Sequence, residues 1–129
     1  MPETTPRLRI LVVEDHLDTA RALANLLTTD GHAVRCAYDG DEALRALAQA
    51  PFDLLVCDLC LPQVDGYTVM REAQARLGIP GIAISGLGGA DDVERAQAAG
   101  FAHYLVKPVE WKALKTLVAQ LAPRPRDAN

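Results

Sequence analysis

An α/β fold, a doubly wound parallel sheet of five strands with helices on both faces, is the class the sequence predicts. Two observations carry it. Apolar runs of strand length alternate five times with stretches whose apolar residues recur at helical spacing. The central run, Phe52 to Cys57, is apolar from Leu54 on and interrupted only by Asp53 near its start, the signature of a strand covered on both faces. It ends on a carboxylate, Asp58, before a turn through Pro62 and Asp65-Gly66. Burying an unpaired charge is costly, so Asp58 is expected where the strand emerges from the core.

The elements follow in order. Leu8 to Val13 reads as the first strand and leads into Glu14-Asp15-His16. Leu17, Ala20, Leu23, Ala24 and Leu27 then share one helical face, and Gly31 is placed to stop that helix. Ala33 to Tyr38 alternates, as an edge or half-covered strand does. Asp39 with Glu42 three residues on is an N-cap signal for a helix through Ala43, Leu44, Leu47 and Ala48.

Beyond the central strand, Asp65-Gly66 opens a helix carrying Val69, Met70, Ala73 and Leu77, and Gly78 ends it. Ile79 to Ile84 is the fourth strand, followed by Ser85-Gly86-Leu87-Gly88-Gly89. An Ala-rich helix from about Asp91 to Ala99 offers little apolar surface beyond Val93 and Ala96, so it is expected to be the weakest-anchored one. Phe101 to Val106 is the fifth strand, then Lys107-Pro108, then a helix with Trp111, Leu114, Val118 and Leu121 on one face. One domain over residues 7–122 with flexible termini, 1–6 and 123–129, is the expected organisation.

Composition bounds the function. Half of the 129 residues are hydrophobic and the formal net charge is −4, which argues against broad nucleic-acid binding. The first six residues lack the apolar core of a signal peptide, and no apolar run approaches the ~18 residues of a membrane span. A cytoplasmic location is the resulting expectation, and no DNA-binding output domain is expected within these 129 residues. Cys57 and Cys60 spell C-x-x-C, but an Asp lies between them and no second ligand pair has zinc-like spacing. Both thiols are read as small hydrophobes. His16, His32 and His103 lack ligand-like spacing and are given no chemistry.

In open parallel sheets, function gathers at the carboxyl ends of the strands. Here those ends carry Glu14-Asp15, Asp58, Ser85 and Lys107. Clustered carboxylates call for a cation, and hard oxygen ligands favour Mg²⁺. A lysine and a hydroxyl beside them complete the parts of a phosphoryl-transfer site with an Asp nucleophile. Taken singly, each has a plainer reading: a solvated acidic pair, an exposed lysine, a turn serine.

In this order, Val12-Val13-Glu14-Asp15, Asp58 with Leu61-Pro62-Gln63-Val64-Asp65-Gly66, Ile84-Ser85-Gly86 and Lys107-Pro108 resemble the receiver domain of two-component response regulators, over about Leu8 to Leu121. The resemblance implies a flavodoxin-like sheet of order 2-1-3-4-5 and a cis Lys107-Pro108 bond. It implies that Asp58 accepts a phosphoryl group from a phosphohistidine of a histidine kinase or histidine phosphotransfer protein. Asp15 would be a direct Mg²⁺ ligand, Glu14 would act partly through water, and the Cys60 carbonyl would be a backbone ligand. Lys107 would reach the phosphoryl group, Ser85 would hydrogen-bond it, and Tyr104 would be the switch aromatic, turning from solvent toward the core. Cys60 and Leu87 fall where receivers guide the water that removes phosphate. The stretches around Ile82 to Gly89 and His103 to Val109 look like receivers of hybrid histidine kinases, so a downstream target or a covalently linked kinase or output domain is the expected partner.

Three rivals fare worse. A flavodoxin needs a hydroxyl- and Gly-rich phosphate loop where Glu14-Asp15 stands. A haloacid dehalogenase phosphatase needs D-x-D after the first strand, and Asp15 and Asp18 are spaced too far apart. A pseudo-receiver that only binds partners would lack one of the site groups.

Overall fold

In the computed structural model, which describes residues 7–86 and 89–122, five strands and five helices alternate along the chain. The strands are β1 (Arg9–Val13), β2 (Ala33–Ala37), β3 (Leu54–Asp58), β4 (Gly81–Ser85) and β5 (His103–Val106). The helices are α1 (Leu17–Thr29), α2 (Gly40–Gln49), α3 (Gly66–Leu77), α4 (Ala90–Ala99) and α5 (Trp111–Leu121). The expected termini, 1–6 and 123–129, and Leu87 lie outside the described residues.

All four strand pairings are parallel, in the order β2-β1-β3-β4-β5. The register aligns Val13 with Cys57, Asp58 with Ile84 and Ser85 with Val106, so the strand ends form one rim. The order reverses between β1 and β3, where a crevice opens beside Asp58.

Alternation along the strands divides the core in two. Leu11, Val13, Leu55, Cys57 and Ala83 face α2, α3 and α4, while Ile10, Val12, Leu54, Val56, Ile82 and Ile84 face α1 and α5. Burying each such aliphatic side chain stabilises the fold by about 1.5–3 kcal/mol. Because every residue of β3 and β4 is buried, the two central strands cannot shift without moving both cores.

Local chemistry sets the ends of the helices. The Asp39 side chain accepts from the Glu42 N–H at 2.7 Å, and Glu42 Oε1 accepts from the Tyr38 N–H at 2.6 Å. Asp65 caps α3 through the Thr68 N–H at 2.9 Å, and Gly78 ends it in the left-handed conformation that glycine adopts without strain.

Some side chains depart from the expected pattern. Leu17, expected on the buried face of α1, is 46% exposed, because the helix begins with it at the open rim. Ala48 of α2 is exposed and Ala46 is buried instead. On α4 the anchors are Ala96 and Ala99, with Val93 only half-buried. Two alanines are small anchors, in keeping with a weakly held helix. Cys60, expected as a small hydrophobe, is exposed because it has left the strand for the β3–α3 turn.

Candidate functional site

Asp58 closes β3 and is only 4% exposed. Its charge is compensated on both oxygens. Oδ1 accepts from the Cys60 N–H at 3.0 Å, and Oδ2 accepts from Lys107 Nζ at 2.9 Å. Lys107 reaches in from the β5–α5 connection, whose start is fixed by the Lys107 N–H donating to the Ser85 carbonyl at 2.8 Å. The Lys107-Pro108 bond is cis.

Glu14, just past β1, is 1% exposed. Its Oε2 accepts from the His16 N–H at 3.0 Å, and its Oε1 lies 3.0 Å from Lys107 Nζ in an ion pair without a hydrogen bond. Burial is the largest influence and pushes the Glu14 carboxyl above the usual range, against the His16 N–H and Lys107. Burial also pushes the Lys107 ammonium down, but its contacts with Asp58 and Glu14 outweigh that and hold it above its ordinary value. Asp15 stands outside this pair, exposed at the rim.

Ser85 ends β4 beside Asp58 and is 1% exposed. Tyr104 lies on β5 opposite Ala83, one strand farther out. It is half-buried and already packs against the α2–α3–α4 core, so it does not stand out in solvent as expected. A polar cleft of about 370 Å³ is lined by Asp15, His16, Asp58, Cys60, Gly86 and Lys107.

Every expected site residue except Tyr104 therefore lies at this rim, and the structure adds one more. His16 Nδ1 comes within 3.7 Å of Glu14 Oε2 and 4.0 Å of Asp15 Oδ1. The three side chains form a group whose donor atoms lie within 4.8 Å of one another. Spacing gave no sign of it, since a single histidine beside an acidic pair matches no recurrent histidine ligand motif. The signal was its place in the turn after a strand.

The donor set fits a divalent cation. Three carboxylates, Glu14, Asp15 and Asp58, face the single ammonium of Lys107, an excess of two negative charges. All are hard oxygen donors, and the buried Glu14 Oε1 has hydrogen-bonding capacity to spare.

A crevice with these groups, at the switch point of a parallel 2-1-3-4-5 sheet, defines a class of acidic, lysine-bearing α/β site. The chain belongs to the response regulator receiver domain family, whose sequence pattern matches residues 10–119. It is 34% identical over 120 residues to the sensor histidine kinase RcsC of Salmonella typhi, covering 92% of this chain and 13% of that protein. It is 34% identical over 116 residues to the probable transcriptional regulator ycf27 of Cyanophora paradoxa, covering 90% of this chain and 48% of that one. The chain thus spans less than half the length of these two relatives.

Among solved structures, the receiver domain of a sensor histidine kinase from Pseudomonas aeruginosa PAO1 has a magnesium ion in its active-site cleft. It superposes with a TM-score of 0.80 at 28% identity, over 90% of this chain and 98% of that one. A Burkholderia pseudomallei response regulator with a phosphorylated aspartic acid and a calcium ion gives 0.79 at 26% identity, over 84% and 64%. Vibrio cholerae CheY4, at 22% identity, shares the fold with a TM-score of 0.84 over 90% of this chain and 99% of that one.

Proposed function

We propose that this chain is a phospho-accepting receiver in which Asp58 takes a phosphoryl group from a phosphohistidine of a histidine kinase or histidine phosphotransfer protein. The observation that carries it is the state of Asp58. Its carboxylate sits at the end of the central strand, one oxygen held by the Cys60 N–H and the other by Lys107 Nζ, facing the cleft. A nucleophile fixed in this way loses little freedom on reaching the transition state.

In the transfer, an Asp58 Oδ bonds to phosphorus as the P–N bond of the phosphohistidine breaks. The imidazole nitrogen leaves with the electron pair and is protonated. Lys107 Nζ is near enough to follow the charge from the carboxylate onto the phosphoryl oxygens. Asp15, Asp58 and the Cys60 carbonyl, with Glu14 behind them, would hold Mg²⁺, which supplies charge neutralisation for those oxygens. The Pseudomonas receiver, with magnesium in its active-site cleft, supports a divalent ion at such a site. Ser85 would donate to the transferred group as acceptor of the signal, and Tyr104 would report its movement.

The donor protein has a place to dock. An apolar groove of about 570 Å³ runs beside Lys107, between α1 and the β5–α5 connection, walled by Ala22, Leu23, Leu26, Pro108 and Val109. Leu26 is 38% exposed there, more than the core requires. No helix of the described residues is long and apolar enough to cross a membrane.

With Mg²⁺ and acetyl phosphate, the wild-type chain is expected to gain the mass of one acid-labile phosphoryl group, and Asp58→Asn none. Equal gain in the two, or none in the wild type, contradicts the assignment. A chain that takes no phosphate would act as an interaction module only.

A further inference from the structure

His16 is the one group in the cleft to which phosphoryl transfer gives no task. It is the N-cap of α1, but its side chain makes no capping hydrogen bond. Instead, Nδ1 faces Glu14 Oε2 at 3.7 Å and Asp15 Oδ1 at 4.0 Å. The imidazole is 77% exposed, so packing does not restrain it, while the Glu14 it faces is 1% exposed and cannot follow the solvent. The His16 backbone N–H already holds Glu14 Oε2, so carboxylate and imidazole are borne on one turn and move together.

These distances are close to those of a shared cation. Two ligands each about 2.0–2.2 Å from one ion stand roughly 3–3.5 Å apart, so donors now within 4.8 Å of one another need to close by no more than about one to two ångströms to share a coordination sphere. An independent feature points to a ligand here: buried Glu14 Oε1, ion-paired with Lys107 Nζ at 3.0 Å, carries no hydrogen bond and keeps lone-pair capacity for a cation. The ring nitrogen changes which ion the site prefers. Mg²⁺ keeps to oxygen and water, whereas imidazole is a good ligand for the later first-row divalent ions.

We propose that His16 Nδ1 joins Glu14 and Asp15 as a metal ligand, and that it makes this cleft selective for nitrogen-accepting divalent cations such as Zn²⁺ over Mg²⁺. This rests on the reading of the rim as the receiver's metal site, and adds the residue that sets its selectivity.

Calorimetric titration with Zn²⁺, Mn²⁺ and Mg²⁺ tests it on the wild type, His16→Ala, Asp15→Asn and Cys60→Ser. His16→Ala is expected to weaken Zn²⁺ by about tenfold or more while leaving Mg²⁺ within about twofold. Mn²⁺ should fall between the two. Cys60→Ser should leave Zn²⁺ affinity in place, because the thiol is not among the clustered donors. Unchanged Zn²⁺ affinity in His16→Ala, an equal loss of Zn²⁺ and Mg²⁺, or a loss of Zn²⁺ that follows Cys60 alone would each overturn the proposal. Asp15→Asn separates the two levels. If it leaves Mg²⁺ binding intact, the receiver's metal assignment fails, whatever His16 does.

Discussion

At the scale of single residues, burial has sorted the titratable groups into those the site uses and those the fold carries. His32 belongs to the second kind. Its ring is fully buried at the amino end of the sheet, and Nδ1 accepts from the Leu8 N–H at 3.1 Å, which leaves its proton on Nε2. Nε2 lies 3.8 Å from Asp30 Oδ2 and has no hydrogen-bond partner among the described residues. Lys115 Nζ, from α5, approaches the other Asp30 oxygen at 3.5 Å. Desolvation lowers the His32 pKa, and Asp30 offsets this only in part. Below about pH 6.5 the unfolded chain therefore takes up a proton that the folded chain refuses. Stability should fall as pH drops from there to the folded pKa, and hold level below it. Thermal unfolding between about pH 7.5 and about pH 5 should cost the wild type more in Tm than His32→Gln; equal losses would contradict this. None of this was legible in the sequence, where His32 follows a helix-stopping glycine like any loop residue. Glu14, Asp15, Asp58, Ser85 and Lys107 were legible, because strand ends can be read from apolar runs and these residues stand at them. His16 escaped because its role depends on where a turn points its ring.

At the scale of elements, close backbone approach positions the acceptor. A side-chain carbon on Gly66, at the start of α3, would fall against the Asp58 carbonyl oxygen and within 2.8 Å of Leu59 Cα. Neither backbone atom can yield without moving the end of β3. Gly66→Ala should therefore destabilise the chain by about 1–3 kcal/mol and slow phosphorylation as well. Gly86, with nothing within 4 Å of the same position, is the control. Gly86→Ala should change the urea midpoint by less than about 0.5 kcal/mol equivalent, and an equal loss in the two variants would contradict the steric argument. The pattern Asp65-Gly66 announced a helix start, and Asp65 does cap α3. That Gly66 is needed for proximity to Asp58 appears only once α3 and β3 are packed together. Strand starts were read early for the same reason. Leu8, Ile79 and Phe101 are buried but precede the paired residues of β1, β4 and β5, so burial alone extended them.

At the scale of the whole molecule, the rim and the outer face are joined through a thinly packed sector. Arg95 of α4 lies over the Tyr67 ring at 4.3 Å from its centre, and α4 is otherwise anchored by two alanines. Phosphate on Asp58 would draw Ser85 inward by a charge-assisted hydrogen bond, and Tyr104, two strands from the acceptor, would repack against the core it already touches. A partner preferring one shape of the α4–β5–α5 face would read the change. Beryllofluoride, a phosphoryl mimic, should then shift amide resonances from Asp91 to Tyr104; shifts confined to the neighbours of Asp58 would rule the relay out. The layering of this molecule was legible in its alternation of patterns, but the strand order was not, since periodicity does not say which strands are neighbours. It came from the resemblance, and the sheet has it. The claim on which all of this turns is that Asp58 itself carries the phosphate. Borohydride reduction of the acetyl-phosphate-treated chain, followed by peptide sequencing, locates it directly, because an aspartyl phosphate is reduced to homoserine. Homoserine in place of Asp58 is the predicted result, and homoserine at Asp15 or Asp65, or none at all, would contradict it.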